Sequence, residues 1–426
     1  MKRRQWIALL AAGGLGGLAW RFWPDEGFDN PCLPGPLPAR LAHDALMQAV
    51  WADIDPTQVW DCHVHLLGLG DSSSGVWLNP NMDSLVHPIE YLQKRFYLDA
   101  SCLSLRGTGD EDYISRLLAL HGDFPPGPRL MLLGFDYHYD REGRRVLPLS
   151  PFHTPNTYAR DVARRYPQRF EWIASVHPYR EDCVEALQQA VNDGARAVKW
   201  LPSAMGIDPA SPLCDRFYEA LAPTGIPLLS HAGHEQAVHG GSNQALNNPL
   251  RLRRALDHGV RVIVAHCASL GSNTDLDHGA NGPRRSNFEL FARLMDEPRY
   301  QALLFGEISS LAQLLRTTTV IDVIIGRVDW HGRLLYGSDY PLPGVMPIYS
   351  LWDLSRRGYI TDREARVLSD VRRYNPLLFD FALKRLLKAH GKRLGVEVFH
   401  ARRVFDPTMQ ARQTSASSTH RNPSCA

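Results

Sequence analysis

Between residues 58 and 340 the chain alternates short, almost wholly apolar runs with stretches whose apolar residues recur at helical spacing. The runs are QVWDCHVH (58–65), RLMLLGFDY (129–137), FEWIASVHP (170–178), ARAVKWLP (195–202), IPLLSHAG (226–233), RVIVAHCA (261–268), ALLFGEIS (302–309) and RLLYGSDY (333–340). Continuous apolarity over such lengths predicts parallel strands covered on both faces. Between them, REDCVEALQQAVNDG has a helical pattern closed by Gly194, and NPLRLRRALDHG repeats the design with Gly259. Pro202, Pro227 and Pro341 fall at element ends, where proline is tolerated. About eight strand–helix units predict an α/β fold, a (β/α)8 TIM-like barrel. An open doubly wound sheet is the rival. No Gly-x-Gly-x-x-Gly turn follows the first strand, which argues against dinucleotide binding.

About sixty residues separate the first two strands, too many for a plain strand–helix loop. This insertion (66–128) begins with the glycine- and serine-rich GLGDSSSGVWLNPNMDSL and ends near the helical DEDYISRLLALHG. It reads as a lid over the mouth of the fold, against the plainer reading of a surface excursion. The ends are different material. Residues 1–23 start with Lys2, Arg3 and Arg4 and continue apolar from Trp6 to Trp20. That stretch is short for a bilayer span and suits an export signal or, without an Ala-x-Ala cleavage site, a retained anchor. Arg3–Arg4 raises the twin-arginine route. The expected location is periplasmic, with anchoring to the inner membrane or a cytoplasmic protein as alternatives. Residues 24–55 look like a linker, 56–390 like the barrel domain, and 391–426 like a basic, poorly ordered tail.

Composition then narrows the function. A chain of 426 residues that is 44% hydrophobic and 22% charged can bury a large core. Its formal charge of +2 gives no field for nucleic acid, so the expected partner is a small molecule, with membrane contact only through the N-terminal segment. The oligomeric state is open, a homo-oligomer included. Seven scattered cysteines have no Cys-x-x-Cys spacing and are too odd in number all to pair; Cys62 and Cys267, beside histidines, read as core packing.

Several strands end in a side chain that can bind metal: His63 and His65 on the first, Lys199 on the fourth, His231 on the fifth, His266 on the sixth and Asp339 on the eighth. Parallel strands bring their C-terminal ends to one mouth, and residues i and i+2 of a strand share a face. Imidazole and carboxylate suit zinc or a comparable divalent ion with a position left for water. Each residue alone has an ordinary reading: a satisfied core histidine, a lysine paired with a carboxylate, an aspartate in a turn. All of them in order at strand ends point to metal.

These same segments (DCHVH, AVKWLP, IPLLSHAGHE, VIVAHCA and LLYGSDYP, with LSDVRRYNPLLFDF near the C-terminus) resemble the amidohydrolase superfamily and its amidohydrolase-related branch, from about Val59 to Phe381. The resemblance implies that His63, His65, His231 and Asp339 bind metal and that Asp339 also acts as general base. It implies that His266 polarises substrate or binds a second ion. It also implies that Lys199, if carboxylated, bridges two ions; otherwise Lys199 holds a substrate anion. The cofactor is then one or two divalent ions, zinc first. The expected reaction is attack of activated water on an amide, lactone or ester, with Asp339 and His266 catalytic. The resemblance also implies an alternative, non-oxidative decarboxylation of a small aromatic or unsaturated acid. A third class is a metal-holding structural or binding protein without activity. His234 and Glu235 are weaker substrate-binding candidates, Glu307 a group organising the ligands from behind. His239, Arg106, Arg141 and His177 complete the set.

Overall fold

The computed structural model describes residues 24, 26–103, 108–238, 243–316 and 318–406. All eight expected strands are present: β1 (Trp60–His65), β2 (Arg129–Leu133), β3 (Phe170–Ile173), β4 (Val198–Trp200), β5 (Leu228–His231), β6 (Val262–Ala265), β7 (Leu304–Glu307) and β8 (Leu334–Leu335). They are shorter than their apolar runs because the last residues of several leave the ladder and turn into loops. His266 and Asp339, for example, stand at φ 56° and 60°, a left-handed backbone that no strand accommodates.

The strands pair in parallel as two sheets, β1-β2-β3 and β8-β7-β6-β5-β4. Backbone hydrogen bonds join the sheets at both edges. Lys199 N–H donates to Ala174 O at 2.7 Å, while Asp339 N–H donates to His63 O at 2.8 Å and His65 N–H to Tyr340 O at 3.0 Å. One apolar cluster draws on the strands or their first residues: Trp60, Cys62, Met131, Leu133, Ile173, Ala197, Leu229, Ile263, Ala265 and Leu335, with Phe305 against it. A second, larger cluster packs the outer faces under helices such as Cys183–Asn192 and Asn287–Asp296.

Both presumed appendages differ from expectation where they are described. Residues 24–55 do not form a free linker, since Leu37, Leu41, Met47 and Val50 are buried in the larger cluster. Asp44 caps the short helix Ala45–Ala49 by accepting from Leu46 N–H at 2.8 Å. The tail expected from 391 does not begin there either. Val398 and Phe399 join the larger cluster, and Ala401, Val404 and Phe405 pack on the residues inside the strands. The polarity of the last residues masked this short apolar pattern. The N-terminal segment 1–23 and residues 407–426 lie outside the described residues; among the described ones no helix is long and apolar enough to cross a membrane.

The insertion after β1 holds two helices, α1 (Pro88–Ala100) and α2 (Gly109–His121). Its first loop is tied to the start of α2. Asp110 accepts from Leu69 N–H at 2.7 Å and from the hydroxyls of Ser72 and Ser74 at 2.6 Å, and Asp71 accepts from Gly109 N–H at 2.6 Å. Cys32 and Cys102 form a disulfide that fastens the N-terminal arm beside the end of α1, a pairing that scattered spacing gave no sign of. Cys62, Cys183, Cys214 and Cys267 are free and buried, as packing cysteines are.

Candidate metal centre

The ends of β1 and β8 build the first part of the site. The register of β1 against β2 shifts between Asp61 and Val64, and Asp61 secures that irregular stretch. Its Oδ1 accepts from His63 N–H at 3.2 Å and from Ser338 N–H at 2.8 Å, so one buried carboxylate ties the two ligand-bearing segments together. Burial pushes Asp61 up to about 7, against the pull of Ser338. The first residue of DCHVH is therefore structural, a role that sequence reading missed.

His63 and His65 both turn to Asp339. Asp339 Oδ1 lies 3.4 Å from His63 Nε2 and 3.2 Å from His65 Nε2, while Ser310 Oγ donates to Asp339 Oδ2 at 2.8 Å. Donors bound to zinc at 2.0–2.2 Å in a tetrahedron are about 3.3 Å apart. Two imidazole nitrogens and a carboxylate at this spacing fit a divalent ion, and the three form one of two candidate metal-holding groups among the described residues.

The second such group, His63, His266 and Glu307, has a different character. His63 Nδ1 and Glu307 Oε2 are 3.1 Å apart, and Ser309 Oγ donates to the same oxygen at 2.7 Å. The Ser309 hydroxyl has one proton, already given to Glu307, so His266 Nδ1 must donate to Ser309 Oγ across their 2.6 Å contact. His63 likewise donates from Nδ1 to the carboxylate. Both rings are thereby fixed as Nδ1–H tautomers with bare Nε2 atoms. Glu307 thus holds His63 directly and His266 through Ser309. Burial would raise Glu307, but the His63 hydrogen bond and charge, with Lys384 and Ser309, hold it below the usual range.

His266 Nε2 lies 3.9 Å from Asp339 Oδ2. Burial drives its pKa well below the ordinary imidazole value, against the pull of Asp339.

His231 reaches the same cavity but belongs to neither donor group. Its Nε2 is 3.2 Å from Gly233 O and its Nδ1 3.4 Å from Glu235 Oε2. Lys199 is buried, with Nζ 3.1 Å from His63 Nε2, donating to the lone pair that an ion would take. Burial lowers its pKa, which eases its conversion to the neutral amine.

A narrow pocket lined by His63, His65, Lys199, His231, His266 and Asp339 adjoins a larger cavity of about 250 Å³. Tyr97 of α1 donates to Ala237 O, and Gln93 Nε2 donates to Gln236 O at 3.0 Å, so the insertion meets the loop after β5 at this mouth. Glu235 lines both spaces; burial raises its pKa, partly offset by Val238 and Ala237 N–H groups at 2.9 and 2.5 Å. His234 lines the larger one and is held by Ser272 O at 3.1 Å from Nε2. His177 is fully buried, its Nε2 on Met205 O at 2.9 Å, and Arg141 is exposed on a turn; neither lines these spaces. Arg106 and His239 fall outside the described residues.

The amidohydrolase family model matches residues 60–377, a span from the start of β1 through the Asn375 helix junction. The chain belongs to the amidohydrolase family. No match to a curated protein was found. Among solved structures, the chain is similar to an uncharacterized TIM-barrel protein from Bordetella bronchiseptica (14% identity, 73% of this chain and 98% of that one, TM-score 0.44). A probable 2-pyrone-4,6-dicarboxylic acid hydrolase from Acinetobacter baumannii matches at 14% identity over 67% of this chain and 84% of that one, TM-score 0.40. A 5-carboxyvanillate decarboxylase from Sphingomonas paucimobilis matches at 10% identity over 82% and 99%, TM-score 0.45. Likenesses this loose assign no activity to the chain.

Proposed function

We propose that this amidohydrolase is a metal-dependent hydrolase of a small-molecule amide, lactone or ester, built on a (β/α)8 barrel whose two sheets close at the β1–β8 and β3–β4 edges. The observation that carries the reading is the spacing of His63 Nε2, His65 Nε2 and Asp339 Oδ1, with His63 oriented by Glu307. His63, His65 and Asp339 would hold one divalent ion, zinc being the best chemical fit, and His231 would complete the set by giving up Gly233 O. An ion in such a set supplies Lewis acidity and lowers the pKa of a water ligand. Asp339 accepts a proton from the attacking water, steadied by Ser310. Protonated Asp339 returns that proton to the leaving group, directly or through His266 Nε2, which lies 3.9 Å from its Oδ2. Lys199 either withdraws from His63 Nε2 or is carboxylated when metal binds, and Glu235 and His234 border the substrate.

The test is product chemistry with metal-loaded protein on a panel of amides, lactones and esters in oxygen-labelled water. Label in the product supports hydrolysis; released carbon dioxide without label establishes decarboxylation instead. Folded, metallated Asp339→Asn should lose turnover, and unchanged turnover removes Asp339 from its role. The Cys32–Cys102 disulfide, together with the basic and apolar start of the chain, supports export from the cytoplasm. Fractionation of the native host that finds intact chain only in the cytoplasm would overturn this.

A further inference from the structure

The larger cavity holds a cation with no role in the chemistry above. Arg316 lines it together with His231, His266 and Asp339. Its Nη1 donates to Ser269 Oγ at 2.6 Å, and its Nε, closed off from solvent, has no partner. Asp339 and Glu235 border the same cavity, yet among the described residues no carboxylate comes within ion-pair distance of Arg316. Other partly buried arginines meet a backbone carbonyl or a carboxylate: Arg261 donates to Gly225 O, and Arg385 Nε to Val50 O at 2.9 Å. Arg180 meets Asp136 at 2.9 Å, Arg196 meets Glu171 at 2.8 Å and Arg293 meets Asp275 at 2.7 Å.

A guanidinium carries five N–H donors in a planar fork that matches a carboxylate. Leaving one partly desolvated and without a counter-ion is costly unless a ligand supplies it. The space before it is apolar, walled by Phe96, Leu270, Leu342, Val345 and Ile348. Gln313 is fixed nearby, its Nε2 donating to Ser310 Oγ at 2.8 Å and its backbone carbonyl accepting from the backbone N–H of Arg316 at 3.0 Å. Ser310 in turn holds Asp339, so the turn that carries Arg316 is tied to the reacting end of the site.

We propose that Arg316 anchors a carboxylate of the substrate. The substrate is then an acid with an apolar, ring-sized body, its acid group on Arg316 and its reacting bond towards His63, His65 and Asp339. Arg316 is a specificity-determining residue in this reading, which rests on the metal centre being the reacting end.

The test is calorimetric binding of benzoate and 3-phenylpropionate, and of their neutral amides, to metal-loaded wild type, Arg316→Gln and Arg316→Lys. Wild type should prefer each acid over its amide by roughly tenfold or more. Arg316→Gln should erase that preference without weakening amide binding, and Arg316→Lys should keep part of it. An acid preference that survives in Arg316→Gln places the carboxylate elsewhere, on the metal for instance, and overturns the proposal; so does a wild type without the preference. Should Arg316→Gln fail to fold, Arg316→Lys decides, since it keeps the charge and loses the fork: an undiminished preference overturns the proposal. The readout needs no turnover, so failure of hydrolysis and failure of the Arg316 subsite appear separately.

Discussion

Glu307 Oε2 accepts from His63 Nδ1 at 3.1 Å, and this contact decides which nitrogen of His63 faces the ligand cluster. Replacing the carboxylate by an amide weakens the orientation without emptying the space. Glu307→Gln should lower metal affinity roughly ten- to a hundredfold while the protein stays folded. Competition with a chromophoric chelator measures it, and unaltered affinity would show that Glu307 is merely buried.

Ser309 passes the same instruction to His266. Without its hydroxyl, His266 is free to take the other tautomer and present a proton to the cavity. Ser309→Ala should keep its full metal content and lose turnover by about tenfold or more. Parallel metal analysis and kinetics separate this from a loss of metal.

Replacing Lys199 tests the ion count. Its Nζ already hydrogen-bonds His63 Nε2, and His231 belongs to neither donor group, which together favour a single ion. Metal analysis of wild type and Lys199→Ala should give one equivalent in both. Two equivalents in wild type, falling in the variant, would establish a carboxylated bridge.

His121 supplies a pH dependence away from the site. It is buried in α2, donating from Nε2 to Pro128 O at 2.8 Å, and burial lowers its pKa to about 4. The folded state thus disfavours the imidazolium that an unfolded chain forms near 6.5. Stability should fall as pH drops from about 6.5 to 4 and then level off, by roughly 3 kcal/mol at most. Denaturant titrations of wild type and His121→Gln across this range should show a flatter profile in the variant.

The disulfide is the remaining handle on stability. Cys32 and Cys102 are 70 residues apart in sequence, so their bond restricts a long stretch of the unfolded chain. Removing it by Cys32→Ser with Cys102→Ser should cost roughly 2–4 kcal/mol, read as a lower midpoint in urea.

The strands were legible because burial on both faces leaves little choice but continuous apolar runs. Their polar last residues marked the candidate site for the same reason, since His63, His65, Lys199, His266 and Asp339 interrupt patterns that are otherwise apolar. What stayed hidden depends on contacts distant in sequence. Asp61 pins Ser338 across 277 positions, Ser309 sets the His266 tautomer, and Arg316 follows a run with no strand or helix period to mark it. The buried segments 37–50 and 396–405 were misread because each is a few apolar residues among prolines, arginines and glycines, too short to show a period.

His266, Cys267, Ala268, Ser310 and Asp339 all adopt left-handed backbone angles that an L side chain resists, and three of them carry the proposed proton traffic. The surrounding sheet and helices hold those angles in place. Breeding this protein for heat resistance alone would therefore reward glycine or asparagine at these turns. The sturdiest descendants would be the ones that had given up the chemistry.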